Sequence, residues 1–229
     1  MQPLPHRWQA IVFDLDGTLV DTAPDLVAAV NWVLSQHNRP AIAPDAIRAM
    51  IGDGARVMLE RGFAATGAAL APDAMATAIG QFLEYYGQNL ANSSRPFPGV
   101  VEALEALTAQ GCTLGVCTNK FEHFSVELLR RLDLAHHFAA ICGGDTFDVR
   151  KPHGGHVLGT IARMQARAGA AVMVGDSAND VIAARAAGVP VVAVDFGYSQ
   201  TPAAKLNADR VISHWRKLPQ ALAELGQST

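Results

Sequence analysis

Four aspartates in two short segments are the residues of this sequence best suited to chemistry. Asp14 and Asp16 come directly after one apolar run, and Asp176 and Asp180 follow a second. Because like charges repel at close range, several carboxylates near one point need a cation or a shared proton. Mg²⁺ is a hard cation that prefers oxygen ligands. The sequence therefore predicts an acidic metal site.

The pair Asp14 and Asp16 has the spacing of two groups that act on one reacting atom. In an extended strand end, side chains two positions apart point the same way. One carboxylate could attack as a nucleophile while the other transfers a proton, and Gly17 permits a tight turn that brings backbone N–H groups close to an anion. A turn or cap aspartate would explain one such pair, but it does not explain the second acidic pair.

Short apolar runs predict the elements that hold these aspartates. The predicted strands are residues 10–13, 113–117, 139–142, 171–174 and 191–194, with 211–212 as a short sixth. Consecutive apolar residues indicate strands that are covered on both faces, and helical patterns separate the last four main runs. Such alternation predicts a parallel sheet, whose ligands bind beyond the carboxyl ends of the strands.

Residues 21–91 differ from the rest because they contain no strand-like run. Their pattern predicts four helices, at residues 25–37, 44–50, 54–66 and 72–90. A polar segment with two prolines then returns the chain to the sheet. The predicted architecture is a Rossmann-like α/β core, residues 1–20 and 92–229, with an inserted all-helical cap domain, residues 21–91.

Composition limits the partners and the location. Half of the 229 residues are hydrophobic and the net charge is −3, so no basic field would attract nucleic acid or an anionic membrane. Three cysteines without disulfide or zinc spacing suit a reducing cytosol. Residues 1–5 lack a secretory apolar core, and no apolar run approaches the ~20 residues of a membrane span. We expect a cytoplasmic protein, a monomer or homodimer, that binds a small phosphorylated metabolite.

Four motifs in this order resemble those of the haloacid dehalogenase-like hydrolase superfamily. They are Asp14-Leu15-Asp16-Gly17-Thr18, Thr118-Asn119, Lys151-Pro152 and Gly175-Asp176-Ser177-x-x-Asp180. Together they span nearly the whole chain, and the helical insert resembles the cap of that superfamily. After Lys151-Pro152 the family usually continues with a polar residue and another proline, whereas this chain has two glycines between histidines, which we interpret as loop and helix-start residues.

The resemblance implies phosphoryl transfer through an aspartyl-phosphate. It implies that Asp14 is the nucleophile and Asp16 the acid/base. Thr118 and Lys151 would be the catalytic phosphate ligands, because a dianionic phosphate repels a carboxylate until its charge is neutralised. An acid at position 16 separates phosphatases and phosphomutases from dehalogenases, since an alkoxide needs a proton on leaving and a halide does not.

The remaining site residues follow from the same resemblance. The predicted Mg²⁺ ligands are Asp14, Asp16, Asp176 and Asp180. Asn119 and Gly17 are predicted to bind substrate, because donors after a strand and before a helix can face an anion. Capping of the helix is the alternative for Asn119, and for its neighbour Lys120 a solvated lysine and a ligand contact both stay open.

A further motif lies in the predicted cap. Gly52-Asp53-Gly54-Ala55-Arg56 resembles the cap motif of phosphoglycolate phosphatases, with Asp53 as a possible cap of the following helix. Arg56 is predicted to bind substrate, because a guanidinium can form a bidentate pair with a carboxylate. An ordinary loop-to-helix junction with a surface arginine is the alternative.

The sequence therefore favours a Mg²⁺-dependent phosphomonoester hydrolase that acts on 2-phosphoglycolate. A sugar-phosphate phosphatase or a β-phosphoglucomutase-like mutase is the nearest alternative, since all share the same core residues. A non-catalytic regulator that binds a phospholigand belongs to a different class, because fold alone does not fix function.

Overall fold

A six-stranded parallel sheet forms the centre of the protein, described by a computed structural model over residues 8–227. The interpretation of residues 1–5 lies outside the described residues. The strands are β1 (Ala10–Phe13), β2 (Val20–Asp21), β3 (Arg95–Pro96), β4 (Thr113–Cys117), β5 (Ala140–Cys142), β6 (Ala171–Gly175), β7 (Val191–Val194) and β8 (Arg210–Ile212). The sheet order is β5-β4-β1-β6-β7-β8, so the Rossmann-like fold class predicted from the sequence is confirmed.

Nine helices surround this sheet and build the insert in the described part of the chain. They are α1 (Ala23–Gln36), α2 (Pro44–Arg48), α3 (Ala55–Thr66), α4 (Pro72–Gln88), α5 (Val100–Ala109), α6 (Glu122–Arg131), α7 (Gly154–Arg163), α8 (Ala178–Ala186) and α9 (Leu218–Gln227). No described helix is long and apolar enough to cross a bilayer.

Strand β1 lies between β4 and β6, where the chain changes direction across the sheet. All four of its residues are fully buried. Ile11 and Phe13 pack into one hydrophobic cluster, and Ala10 and Val12 pack into another on the opposite face. Phe13 is level with the ends of both neighbouring strands. Residues that follow these parallel strands therefore meet at one edge of the sheet.

The insert is a group of four helices between β2 and β3. Prolines in the first turns of α1, α2 and α4 suit helix starts, because their missing N–H would be unpaired there. Helix α1 packs against α2, α3 and α4. Its buried Asp25 accepts hydrogen bonds from Ser93 N at 2.8 Å and Ser94 Oγ at 2.6 Å, which ties α1 to the returning chain.

Strands β2 and β3 form a two-stranded antiparallel ribbon that the sequence did not predict. Val20 pairs with Pro96 and Asp21 pairs with Arg95. The two connections between the sheet and the helical insert therefore run side by side. Strands of two residues have no detectable periodicity, which is why sequence patterning missed them. The domain boundaries, 1–20 with 92–229 and 21–91, stay a prediction with which this ribbon agrees.

Candidate active site

The turn after β1 brings Asp14 to the edge of the sheet. Its N–H donates to Val174 O at 2.9 Å, which extends the pairing of β1 with β6. Gly17 follows with a φ of +86°, and a Cβ there would lie 2.7 Å from Asp176 Oδ2. Only glycine combines this backbone conformation with so close an approach. The predicted tight turn therefore exists, and it packs against the second acidic segment.

Three buried aspartates and one lysine form the floor of the site. Carboxylate oxygens of Asp14, Asp176 and Asp180 all lie within 4.8 Å of one another. Lys151 Nζ is 2.7 Å from Asp14 Oδ1 and 2.6 Å from Asp180 Oδ1. Because one ammonium faces three carboxylates, the floor has an excess of negative charge. The structure brings these four residues together, and the roles predicted for them from the sequence stay predictions.

The pKa values of the floor residues reflect the same excess of negative charge. Burial raises the pKa of the Asp14 carboxyl to about 8; Lys151 opposes this rise, and Asp180 and Asp176 add to it. Burial and repulsion from Asp180 raise the pKa of Asp176 to about 7. Burial disfavours the charged form of Lys151, but attraction to Asp14 and Asp180 outweighs it and raises the pKa of that lysine. The floor therefore binds protons near neutral pH unless another cation replaces them.

Local hydrogen bonds fix the direction of the two later aspartates. Asp180 Oδ2 accepts from Ser177 N at 3.0 Å and from Ser177 Oγ at 2.7 Å, in a capping box at the start of α8. Asp176 Oδ2 accepts from Tyr198 N at 2.6 Å, and its Oδ1 accepts from Thr18 Oγ1 at 3.3 Å. Each carboxylate is thus oriented by hydrogen bonds. An all-oxygen, anionic donor set of this kind fits Mg²⁺.

Asp16 lies outside the three-aspartate cluster, although the sequence placed it among the metal ligands. Its two carboxylate oxygens are 3.0 Å and 3.1 Å from Lys120 Nζ, and its Oδ1 also accepts from Thr22 Oγ1 at 2.7 Å. These contacts hold the carboxylate in an ion pair with Lys120. The structure therefore does not place the Asp16 side chain with the other three aspartates, and it gives no support to the prediction that this side chain holds the metal.

The loop after β4 brings the second motif to the same edge. Thr118 is buried, its N–H donates to Cys142 O at 3.0 Å, and its hydroxyl accepts from Lys120 N at 3.2 Å. Asn119 Nδ2 donates to Lys151 O at 2.9 Å and to Gly52 O at 3.1 Å. Asn119 therefore joins two loops of the core to the insert.

A cavity lies between the core and the helical insert. From the core it is lined by Asp14, Asp16, Thr118, Asn119, Lys120, Phe121 and Phe124. From the insert it is lined by Leu26, Ile51, Gly52, Gly54, Ala55, Met58, Phe82, Leu83 and Tyr86. The core side of the cavity carries charged and polar side chains and the insert side is mainly apolar, so a ligand in it would meet charge on one side and a water-excluding surface on the other.

The loop before α3 contacts the core, but Arg56 does not reach the cavity. Asn179 Nδ2 donates to Asp53 Oδ1 at 2.8 Å, and Arg61 pairs with Asp53 at 2.6 Å. The N-cap of α3 is Gly54 and not Asp53, which these partners hold. The Arg56 side chain is 60% exposed and lies 3.8 Å from Glu60. The structure therefore gives no support to the predicted contact of Arg56 with substrate.

Three residues near the site were not assigned a role from the sequence. Lys120 was left open, and its place beside Thr118 and Asn119 was the only signal for it. Tyr86 lies within an ordinary helical pattern of α4 and had no signal. His156 Nδ1 accepts from Lys151 N at 3.2 Å, and burial, with Lys151 nearby, lowers the pKa of this histidine to about 4. A neutral His156 therefore supports the backbone of the lysine.

The protein has a parallel α/β sheet, an acidic turn after a central strand and a helical insert over that turn. This combination is typical of a phosphoryl-transfer hydrolase with a cap domain. The sequence matches the family described as haloacid dehalogenase-like hydrolase over residues 11–194, and the chain belongs to that family. The resemblance seen in the motifs is thereby confirmed.

Similar proteins point to one activity within the family. The chain is 46% identical over 215 residues to phosphoglycolate phosphatase of Caulobacter vibrioides, covering 94% of this chain and 91% of the relative. It is 44% identical over 213 residues to the enzyme of that name from Agrobacterium fabrum, covering 93% and 91%. The crystal structure of a predicted phosphoglycolate phosphatase from Haemophilus somnus has a TM-score of 0.89 at 34% identity, covering 93% and 97%.

Proposed function

We propose that this protein is a Mg²⁺-dependent phosphatase that hydrolyses 2-phosphoglycolate through an aspartyl-phosphate on Asp14. The observation that carries the proposal is that Asp14 and Asp16 line one cavity, while Asp14 also belongs to the buried cluster with Lys151. The names of the relatives support the choice of substrate.

In the first step, a carboxylate oxygen of Asp14 attacks phosphorus and the P–O bond to glycolate breaks. For this step Asp16 must carry a proton when the substrate is bound, and it gives that proton to the leaving alkoxide oxygen. Lys151 and Thr118 offer an ammonium and a hydroxyl to the phosphoryl oxygens, whose charge must be balanced before a carboxylate can approach. Mg²⁺ held by Asp14, Asp176 and Asp180 would supply further charge neutralisation.

In the second step, water attacks phosphorus and the acyl-phosphate bond to Asp14 breaks. Asp16 now takes a proton from the attacking water, which returns both aspartates to their starting states. The products are inorganic phosphate and free enzyme. The step requires that one water reaches phosphorus while bulk solvent is excluded.

The helical insert acts as the lid in this proposal. Its loop is held to the core by Asn119 and Asn179, and its apolar side chains cover the polar floor. Exclusion of bulk water strengthens the electrostatic interactions on which the first step depends. The predicted cytoplasmic location and the monomeric or homodimeric state stay predictions.

A panel of phosphorylated metabolites tests the proposal. With Mg²⁺ we expect the highest kcat/KM for 2-phosphoglycolate among a set that includes hexose 6-phosphates and p-nitrophenyl phosphate, and we expect a chelator to abolish turnover. A preference for hexose phosphates would make the substrate assignment wrong. Isomerisation of a sugar phosphate that needs a bisphosphate primer would indicate a mutase, and no turnover of any ester would indicate a regulator.

A further inference from the structure

The cavity has one cation at its wall, and that cation is not part of the metal cluster. Among the described residues that line the cavity, Lys120 is the only lysine or arginine. The substrate of the proposed function has two anionic ends, a phosphate and a carboxylate. The floor serves the phosphate. A carboxylate carried into a mostly apolar enclosure needs charged or donor partners of its own.

Lys120 is buried but keeps its charge. Its side chain is only 6% exposed, and its ammonium lies 4.7 Å from the ring centroid of Tyr86. Burial disfavours the charged form, but attraction to Asp16 outweighs it and raises the pKa of the lysine. A lysine ammonium is a compact point charge with three N–H donors on a flexible stem. It can therefore contact Asp16 and a second anion together.

Tyr86 places its hydroxyl beside this ammonium. The residue is 1% exposed and comes from α4 of the insert, whereas Lys120 comes from the core. The Tyr86 hydroxyl is buried and interacts with the Lys120 ammonium, but it has no hydrogen-bond partner of standard geometry among the described residues. Buried polar groups in native proteins are normally satisfied, so an exception at a cavity wall calls for an explanation.

We propose that Lys120 and the Tyr86 hydroxyl form the subsite for the carboxylate of the substrate. The inference deepens the proposed function and rests on it. The ammonium supplies the charge, the phenol donates one hydrogen bond, and the pair selects phosphate esters that carry a carboxylate. Because one partner comes from the core and the other from the insert, the subsite is complete only when the two are packed together.

Binding of two matched phosphonates separates this subsite from the chemistry. The first probe, 3-phosphonopropionate, replaces the bridging oxygen of phosphoglycolate by CH₂ and cannot be hydrolysed. The second, propylphosphonate, replaces the carboxylate by a methyl group. The ratio of their dissociation constants measures the contribution of the carboxylate, and a change in that ratio on mutation isolates the pairwise contact.

The wild type is expected to bind 3-phosphonopropionate about tenfold or more tightly than propylphosphonate, the size of one charged hydrogen bond. Lys120→Met should bring the ratio close to one, whereas Lys120→Arg should keep part of it. Tyr86→Phe should lower it by about threefold or more, because the phenol donates its hydrogen bond to a charged carboxylate. Arg56→Met is the matched control, because it removes an exposed cation outside the cavity, and it should leave the ratio unchanged.

Several results of the same binding measurements would contradict the proposed subsite. An equal loss for both phosphonates in Lys120→Met would make Lys120 a support for Asp16 alone, and the subsite would be wrong. Loss of the ratio in Arg56→Met, or a wild-type ratio near one, would overturn it too. If Lys120→Met does not fold, an unchanged ratio in Tyr86→Phe decides against the proposal. Hydrolysis of phosphoglycolate by the wild type is measured separately, so the proposed function can stand when the subsite fails.

Discussion

The two buried lysines of the site occupy opposite electrostatic settings. Lys151 is shared between Asp14 and Asp180 in a cluster where carboxylates outnumber cations. Lys120 has one carboxylate partner, Asp16, and a cap aromatic ring against its ammonium. The floor therefore needs a further cation. At the cavity wall, by contrast, the charge of Lys120 is balanced by that of Asp16 until an anionic ligand binds. Removing each lysine should have different consequences.

The largest effect is expected at the floor. Lys151→Met leaves three buried carboxylates without an ammonium and removes a partner of the phosphate. We expect kcat to fall by about 10²–10³-fold, the cost of losing one preorganised charge at a transition state. The fall should be similar for phosphoglycolate and for a phosphate ester without a carboxylate. A loss confined to phosphoglycolate would show that the two lysines do not differ as described.

Asp16→Asn should have a smaller and more selective effect. We expect hydrolysis of phosphoglycolate to fall by about 10²-fold, because its alkoxide leaving group needs a proton. Hydrolysis of p-nitrophenyl phosphate should fall much less, since that leaving group is a weak base. Rates on the two substrates measured with one enzyme preparation check this. Equal losses would argue that the Lys120–Asp16 pair is structural.

The charge excess of the floor predicts how stability depends on pH and metal. The pKa values of Asp14 and Asp176, about 8 and about 7, lie above the ordinary 3.8. The metal-free folded protein therefore binds more protons than the unfolded chain, and its stability falls as pH rises through this range. Because a bound cation replaces those protons, Mg²⁺ should raise Tm more at pH 8 than at pH 6. Equal shifts at both pH values would contradict the charge excess.

The smallest effect is expected at Arg56. Among the described residues its exposed side chain has one ion-pair partner, Glu60 at 3.8 Å, a surface pair of the kind that contributes ~0–1 kcal/mol. Arg56→Ala should change kcat/KM for phosphoglycolate by less than about twofold, as expected for a surface change away from the site. A selective loss on phosphoglycolate would restore Arg56 as the carboxylate contact and would weaken the case for Lys120.

The floor could be predicted from the sequence because each of its residues follows a strand. Consecutive apolar residues identified β1 and β6, and parallel pairing then brings Asp14 and Asp176 to one edge whatever the detail of packing. Asp180 and Lys151 needed the family resemblance as well. The position of each residue directly after a strand was sufficient here, because the ends of parallel strands lie side by side at one edge of the sheet.

The part of the cavity wall that Lys120 and Tyr86 form could not be predicted in this way. The contact of Lys120 with Tyr86 depends on how α4 packs over the core, and no local pattern reports that. Arg56 was misplaced because successive helix positions point in different directions, so that Ala55 lines the cavity and its neighbour does not. Chain position located the loop correctly, but it could not give the direction of a side chain.

Acid quenching of a single turnover tests the central claim most directly. Wild-type protein is mixed with 2-phosphoglycolate labelled in its phosphate, in Mg²⁺, and stopped at times shorter than one turnover. We predict protein-bound label that hydroxylamine releases, located on the peptide that contains Asp14 and absent from Asp14→Asn. The Asp14→Asn variant should keep its fold and its binding of 3-phosphonopropionate. Mass spectrometry should exclude deamidation of the new asparagine. Two results would contradict the account. One is release of labelled phosphate with no label on the wild-type protein at any time. The other is labelling of Asp14→Asn at the wild-type rate.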